Sequence, residues 1–258
     1  MLKSKKALMS AFFILFFNLS SANAQCLPQG LLTRVAVSKV VDGDTVRLDN
    51  GRSVRLLGVN TPELNLGKGK PEPFALEAKM ALQGILQGAT PGLVLGSESE
   101  DRYKRLLGYL VVEHQSTSEY LISQGLGWAV AVEPNTELAD CLFEAEAHAR
   151  VARVGIWASP VITAASVRSG GFKLIRGRVT RVDLTSKHLY LELDDQVALR
   201  LNLEGLSAER RSELAASEGQ SIEARGWIID RRKQLKSGSR YKPFLLPITS
   251  GWHLNIVP

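Results

Sequence analysis

Residues 45–56 read TVRLDNGRSVRL, two alternating apolar and polar segments on either side of an Asp-Asn-Gly step. An Asn-Gly step in this setting is the strongest short-range signal for a β-hairpin. Residues 34–41 alternate in the same way, so two or three strands come first. Short apolar segments at residues 93–95 and 106–112 predict further strands.

Three helices are predicted among and after these strands. Residues 74–86 have apolar side chains at helical spacing. Ser116 followed by Glu119 has the pattern of a capping box at the start of a short helix. Residues 137–153 predict a third helix, ended by Gly155. Strands followed by helices without regular alternation indicate an α+β, mainly β, domain.

The first 24 residues have the pattern of a secretory signal peptide. Lysines precede an apolar run at residues 7–17, and Ala-Asn-Ala follows, ending at Ala24. A run of about eleven apolar residues is shorter than the roughly 20 that span a hydrocarbon core, so a retained membrane anchor is the weaker alternative. We therefore expect no stable membrane anchor and a secreted or periplasmic protein, cleaved near Ala24.

The sequence contains two cysteines, Cys26 and Cys141. In the oxidising compartment that an exported protein enters, an isolated pair can form one disulfide. Two unpaired thiols are the alternative.

Charge is distributed unequally along the rest of the chain. Residues 25–163 hold 13 Lys and Arg against 16 Asp and Glu, whereas residues 168–258 hold 16 against 10. Residues 159–171, around the junction of these two ranges, have little charge and contain Pro160 and the Gly170-Gly171 pair, which favour a domain boundary. The predicted organisation is a signal peptide at 1–24, a first domain at 25–159, a linker at 160–171 and a second domain at 172–258.

Two strand ends of the first domain carry the candidate catalytic and metal-binding residues. Residues 42–45, Asp-Gly-Asp-Thr, place two carboxylates two residues apart at a tight turn. A strand containing Arg55 ends in Thr61-Pro62-Glu63. Oxygen ligands from adjacent strand ends suit a hard cation such as calcium. Arg55 and a later arginine are suited to holding a phosphate, and Glu63 to activating or orienting water. For residues 42–45 alone, an ordinary turn is the alternative.

The order of these motifs resembles the staphylococcal nuclease family, the thermonucleases. The resemblance implies an OB-like five-stranded barrel with three helices, and calcium-dependent hydrolysis of DNA and RNA to products with 3′-phosphates. It rests on six blocks between about residues 35 and 157: Asp42-Gly43-Asp44-Thr45, Arg55-Leu56-Leu57 with Thr61-Pro62-Glu63, Asp101-Arg102-Tyr103-Lys104-Arg105, Gln124-Gly125-Leu126, Pro134-Asn135, and Glu144-Ala145-Glu146-Ala147 leading to Gly155-Ile156-Trp157.

The resemblance also implies roles for individual residues. Asp44 and the backbone carbonyl of Thr61 would be metal ligands, and Glu63 would be the general base or the group that positions water. Arg55 and Arg105 would contact the scissile phosphate and stabilise its transition state. For each arginine, a surface ion pair is the alternative.

Two departures from the family's pattern affect these roles. Asn60 stands where the family usually presents Asp, so it keeps a carbonyl oxygen for the metal but removes a negative charge. Calcium is then expected to bind more weakly, and another divalent cation is the alternative. Val130 and Val132 stand near the nucleotide-packing tyrosines of the staphylococcal enzyme, so base stacking there is expected to be lost. Tyr103, beside Arg105, remains a candidate for packing on the nucleotide.

Residues 172–258 predict a second, OB-fold-like barrel. Three alternating strands, a helix that starts at Ser207, and two more strands follow the order of an OB-fold. The loop between the last two strands contains no acidic residue, and its basic and aromatic side chains are Arg231, Arg232, Lys233, Lys236, Arg240, Tyr241 and Lys242. Such loops often bind nucleic acid, with a solvated loop as the alternative.

The sequence thus predicts an exported, calcium-dependent nuclease, an endonuclease-type hydrolase of DNA, RNA or both, with a second domain that holds nucleic acid. The alternative is a nucleic-acid-binding protein whose nuclease domain is weakened or inactive, and Asn60 is the main argument for it. The presence of Asp44, Arg55, Glu63 and Arg105 together favours the enzyme.

Overall fold

The structure is a computed structural model that describes residues 26–65, 69–236 and 238–257. The predicted signal peptide at 1–24, with its cleavage point near Ala24, lies outside these residues. Within the described ranges, no helix has both the length and the apolar character needed to span a membrane.

The first half of the chain forms short strands with three helices between and after them. In chain order they are β1 (Thr33–Arg34), β2 (Val37–Val40), β3 (Thr45–Leu48), β4 (Ser53–Leu56), β5 (Val59–Asn60), α1 (Ala75–Leu86), β6 (Gly92–Glu100), β7 (Leu106–Val112), β8 (Gln115–Ser116), α2 (Thr117–Ser123), β9 (Trp128–Ala129) and α3 (Ala139–Ala152).

The main sheet of this half has the strand order β1-β6-β7-β4-β3-β2. Its two outer members, β1 and β2, lie in one continuous stretch of chain at residues 33–40, so the path returns on itself and forms a barrel. All pairs around this path are antiparallel except β4 with β7, which is parallel. Apolar side chains from the strands and from all three helices fill the interior. The OB-like barrel with three helices is therefore confirmed.

The second half repeats this architecture. In chain order its elements are β10 (Ile162–Thr163), β11 (Gly171–Leu184), β12 (His188–Leu193), β13 (Val197–Asn202), α4 (Ala208–Ala215), β14 (Ser221–Asp230), β15 (Phe244–Ile248) and β16 (Leu254–Val257). Strands β11-β12-β13-β15-β14 form a path that the β11–β14 pairing closes, and only β13 and β15 are parallel within it. The second OB-fold-like barrel is thus also present, with β16 added at its edge.

Residues 160–171, predicted to be a linker, are packed into the second barrel. Strand β10 pairs in parallel with β11. Ala164 and Val167 are buried in the core of that barrel. Low charge and a proline predict a linker between domains at this segment, and its apolar side chains attach it to the second barrel.

The capping box predicted at α2 is wrong. The Ser116 hydroxyl is buried and has no hydrogen-bond partner among the described residues. The Glu119 carboxylate instead accepts a hydrogen bond from the backbone N–H of Cys26, at 3.0 Å. Glu119, which the local pattern predicted to cap α2, therefore binds the backbone of Cys26 instead.

Cys26 and Cys141 form a disulfide, with their Cα atoms 5.7 Å apart and a separation of 115 positions in sequence. The bond attaches the start of the described chain to α3. Closing so long a loop restricts the unfolded chain more than a short cross-link would, which stabilises the folded state.

The two barrels contact each other through buried charges. Arg225 on β14 makes an ion pair with Glu146 on α3, at 2.6 and 2.7 Å, and neither side chain is more than 4% exposed. Arg225 also donates to the carbonyl of Ala129, and the Ala129 N–H donates to Glu146. A second ion pair joins Arg150 on α3 to Glu223 on β14, at 2.7 Å. These contacts fix the position of β14 against the first barrel.

His253 completes this interface from the C-terminal end of the second barrel. Its Nε2 accepts a hydrogen bond from the backbone N–H of Ala131, at 3.0 Å, which places the imidazole proton on Nδ1. Burial, together with the positive charge of Arg225, lowers the pKa of His253 from 6.5 to about 4. The folded protein therefore holds this histidine neutral over a range in which the unfolded chain protonates it.

We predict that this histidine makes folding sensitive to acid. Because the unfolded chain binds the extra proton, stability falls as pH decreases from about 6.5 to about 4, by roughly 3 kcal/mol for this group. His253→Gln retains an acceptor for the Ala131 N–H but does not titrate. Urea unfolding at pH 7 and pH 5 should show that the free energy of unfolding decreases less between these two pH values in the variant than in the natural chain. Equal losses in the variant and the natural chain would contradict the assignment.

Candidate active site

The Asp-Gly-Asp-Thr turn precedes β3 and packs against Thr61 and α1. A side chain at Gly43 would clash with the Thr61 hydroxyl and with Ala78, so only glycine permits this close approach. Asp44 is buried, and its Oδ2 accepts hydrogen bonds from the Thr61 N–H at 2.9 Å and the Thr61 hydroxyl at 3.1 Å. The two strand ends that the sequence singled out therefore meet in space.

Arg55 lies at the centre of this meeting point. Its Nη2 is 3.2 Å from Asp44 Oδ2 and donates to the Asn60 side-chain oxygen at 3.0 Å. Its Nη1 donates to the carbonyls of Leu56 and Val59. The guanidinium is thus held in one orientation by the turn between β4 and β5. Asn60 also donates to the Thr61 carbonyl at 3.4 Å, so its amide contacts both Arg55 and one of the expected metal ligands.

Glu63 lies in a group of carboxylates. Partial burial of its carboxyl group, followed by the negative charges of Asp44, Asp42 and Glu72, raises the pKa of Glu63. Burial and the neighbouring Asp44 likewise raise the pKa of Asp42. Glu72 accepts a hydrogen bond from the Glu63 backbone N–H at 2.8 Å, which fixes the turn. Burial is the first cause of both shifts, and the repulsion from neighbouring carboxylates that adds to it shows that these acidic side chains lie close together.

This donor set fits a hard divalent cation. Its ligand atoms are oxygens, and a bound cation would offset the repulsion between carboxylates that, after burial, raises the pKa values of Asp42 and Glu63. Within residues 26–65, 69–236 and 238–257, no three Asp, Glu, His or Cys side chains form a metal-binding group by themselves. The carbonyl of Thr61, the amide of Asn60 and water or substrate oxygens would therefore be needed as well.

A cleft of about 420 Å³ contains both predicted phosphate-binding arginines, Arg55 and Arg105. Arg105 forms an ion pair with Asp101 through Nε and Nη2, both at 2.8 Å. Despite partial burial, the hydrogen bonds and charge of Arg105 lower the pKa of Asp101. Tyr103 is exposed on the same cleft, with the Arg105 guanidinium 5.6 Å from its ring centre. Arg105 therefore forms an ion pair, which was the alternative role for it, and its guanidinium still lies in the cleft.

The basic loop between β14 and β15 is divided between paired and unpaired cations. Lys242 forms ion pairs with Glu192 and Asp195, and Arg232 forms one with Asp230. The Arg232 hydrogen bonds lower the pKa of Asp230 to about 2. Arg231 donates to the carbonyl of Lys242. These three cations are engaged within the second barrel.

Three other cations of the loop, Lys233, Lys236 and Arg240, form no ion pair in the part of the chain that the structure describes, although Asp230 lies near Lys233 and Asp183 near Arg240. Arg240 lies over the exposed ring of Tyr241, with 5.3 Å between guanidinium and ring centre. The loop therefore offers fewer free charges for a phosphate backbone than its sequence suggests.

We predict that Lys233 and Lys236 carry the salt-dependent part of nucleic-acid binding by this loop. Changing both to Ser should weaken binding and reduce the slope of log affinity against log salt by about 0.7 to 0.9 for each phosphate that the loop no longer neutralises. Arg232→Ser is the matched control, because Asp230 already neutralises that cation. Fluorescence anisotropy with a labelled oligonucleotide in chelator measures both quantities. An unchanged slope in the double variant would leave the loop as a solvated feature.

The fold and the site together define an OB-type domain with acidic and arginine side chains at adjoining strand ends. The family model for the staphylococcal nuclease homologue matches residues 53–159. The chain belongs to the staphylococcal nuclease family through this domain.

Several relatives share the same region. The chain is 31% identical over 134 residues to Endonuclease YncB of Bacillus subtilis, covering 50% of this chain and 64% of that one. It is 30% identical over 131 residues to the SPbeta prophage-derived endonuclease YokF of the same species, covering 49% and 44%. It is 28% identical over 126 residues to the Thermonuclease of Staphylococcus hyicus, covering 48% and 75%. The chain thus spans less than two thirds of the length of either Bacillus relative.

Several residues of the site and the interface were missed by sequence reasoning. Glu72 adds a fourth carboxylate to those of Asp42, Asp44 and Glu63. It is nine residues from Glu63 in sequence and lies outside the motifs that predicted the site. Glu146 was quoted only as part of a motif, and its partner Arg225 was not singled out. Trp227, which lines the cleft from the second barrel, was also missed. Trp227 is two positions from Arg225 on one strand, so their side chains point to the same face. That spacing was the signal in the sequence that could have identified Trp227.

Proposed function

We propose that the first barrel is a divalent-cation-dependent nuclease that hydrolyses phosphodiester bonds of DNA, RNA or both. The observation that carries the proposal is the shared location of Arg55 and Arg105 in one cleft, with Asp44 3.2 Å from Arg55. Cationic groups for a phosphate and carboxylates for a cation and water are thus adjacent. The relatives named endonuclease and thermonuclease support the same activity.

Arg55 binds the phosphate in this proposal and stabilises the charge that develops on its oxygens. Three carbonyl oxygens, those of Leu56, Val59 and the Asn60 side chain, hold the guanidinium before substrate arrives. A preorganised donor needs little rearrangement during the reaction, so its interaction with the transition state is strengthened.

Arg105 acts on the same phosphate from another part of the cleft wall. Its bond to Asp101 fixes the side chain within the turn between β6 and β7. Guanidinium groups bind two phosphate oxygens at once, which orients as well as attracts the group. The two arginines would therefore hold the scissile phosphate in one position.

Glu63 orients the attacking water or accepts its proton. A carboxylate with a raised pKa is a stronger base than an ordinary glutamate, which suits proton transfer. The hydrogen bond between the Glu63 backbone and Glu72 keeps its turn in place. Positioning and proton transfer are then functions of one side chain.

Asp44, with Asp42, the Thr61 carbonyl and the Asn60 oxygen, would hold the cation. Calcium is the proposed ion, and a different divalent cation is the alternative because Asn60 contributes no charge. A bound cation would neutralise phosphate charge and polarise the reacting group. The products are proposed to carry 3′-phosphates, as in the family.

We also propose that the protein acts outside the cytoplasm. The support is the signal-peptide pattern of residues 1–24 and the Cys26–Cys141 disulfide, a bond favoured in oxidising compartments. The second barrel would hold nucleic acid through the unpaired cations of its loop.

Digestion of 5′-labelled DNA and RNA strands tests the proposed function. With calcium, the chain should shorten the strands, and phosphatase treatment should change the mobility of products that end in a 3′-phosphate. Products with 3′-hydroxyl ends would contradict the proposed bond cleavage. Strand binding without any cleavage would support the alternative of a nucleic-acid-binding protein.

A further inference from the structure

Trp227 is an exposed aromatic residue of the second barrel that lies on the cleft of the first. Its side chain is 45% exposed, and it lines the cleft together with Arg55 and Arg105. Neither the phosphate-binding role of the arginines nor the acidic group makes use of it. Tryptophan is enriched at binding interfaces, where its apolar ring packs on a partner and its N–H stays available for a hydrogen bond.

The interface between the barrels fixes the position of this indole. Side chains at alternate positions of a strand point to one face, so Glu223, Arg225 and Trp227 of β14 face the same way. Glu223 and Arg225 are buried in ion pairs with α3. Phe172, directly opposite Trp227 in the neighbouring strand, lies 5.1 Å away and supports the indole edge to face. The strand and the Phe172 contact therefore position Trp227 at the cleft.

The chemistry around Trp227 matches a nucleobase. The described lining of the cleft includes two aromatic side chains, Trp227 and Tyr103, while Val130 and Val132 on the same wall offer no ring for stacking. Two arginines suited to a phosphate lie in the same cleft as the indole, and a nucleotide pairs a phosphate with a flat base. Base stacking on an aromatic ring requires a base whose face is free, as in single-stranded nucleic acid.

We propose that Trp227 is a base-stacking residue of the nuclease site, contributed by the second barrel. This inference rests on the proposed function. It gives the second barrel a direct part in substrate binding, separate from its basic loop, and it makes single-stranded nucleic acid the preferred substrate class.

Binding of a fluorescein-labelled DNA strand to the full chain in chelator tests the proposal without requiring catalysis. Trp227→Ala should weaken binding about 5- to 150-fold, the range for loss of one stacked base. The slope of affinity against salt should stay unchanged, because stacking releases no counterions. Trp227→Phe should restore most of the affinity. Ile229→Ala is the matched control, since Ile229 is exposed on the same face of β14 but does not line the cleft.

Duplex DNA of the same sequence provides the second comparison. Trp227→Ala should reduce binding of the single strand more than binding of the duplex. Where the chain cleaves DNA, the variant should raise KM more than it lowers kcat. Unchanged strand affinity in Trp227→Ala would overturn the inference even if the chain is an active nuclease. Weakened strand affinity in a chain that cleaves nothing would uphold stacking and reject the proposed function.

Discussion

Replacing Glu63 by Gln should lower the rate of phosphodiester hydrolysis by a factor of about 10² to 10⁴, the usual range for removal of a general base. The substitution keeps the size and most of the hydrogen-bonding capacity of the side chain, but the amide cannot accept the proton. Cleavage of a labelled strand at saturating cation measures the effect.

Glu72→Gln is the matched control for this experiment. It removes one charge from the same acidic group but does not change the side chain proposed to contact water. It should therefore lower the rate of hydrolysis far less than Glu63→Gln. Circular dichroism should show both variants folded. Wild-type cleavage by Glu63→Gln would remove Glu63 from the mechanism.

Breaking the buried ion pair between the barrels should have the largest effect on stability. Arg225→Met leaves Glu146 buried with Arg150 and the Ala129 N–H as its remaining partners. Removing one member of a buried pair typically costs about 3 to 5 kcal/mol. Because Arg150 still pairs with Glu146, we expect a loss near the lower end of this range in urea unfolding monitored by tryptophan fluorescence.

The Arg176–Glu223 pair, which joins two strands of the second barrel beside the interface, provides a control. Arg176 is largely exposed, and exposed pairs contribute about 0 to 1 kcal/mol. Arg176→Met should therefore change the free energy of unfolding by less than Arg225→Met. Equal effects would mean that the Arg225–Glu146 pair does not hold the barrels together.

Both barrels were predictable from local patterns. The Asp49-Asn50-Gly51 turn joins β3 to β4 as expected, and alternation predicted the strands of the second barrel. Ser207 caps α4, accepting a hydrogen bond from the Arg210 N–H. These signals lie within a few residues of the structure that they specify.

Features that depend on distant contacts were not predictable in this way. Nothing in the residues around Ser116 shows that Glu119 bonds to Cys26, 93 residues away. The pairing of Lys242 with Glu192 and Asp195 likewise depends on the closed barrel, so the basic loop appeared freer in sequence than in structure. Asp44 and Arg55 were identified as site residues, but their direct contact required the fold.

The rate at which the purified chain cleaves a labelled single-stranded oligonucleotide, measured in single turnover with calcium and again with excess chelator, tests the central claim most directly. We expect cleavage with calcium and a rate at least about 100-fold lower in chelator, because the cation offsets charge on both the phosphate and the acidic group. Equal rates in the two conditions, or no cleavage with calcium, magnesium or manganese by a folded chain, would contradict a divalent-cation-dependent nuclease at this site.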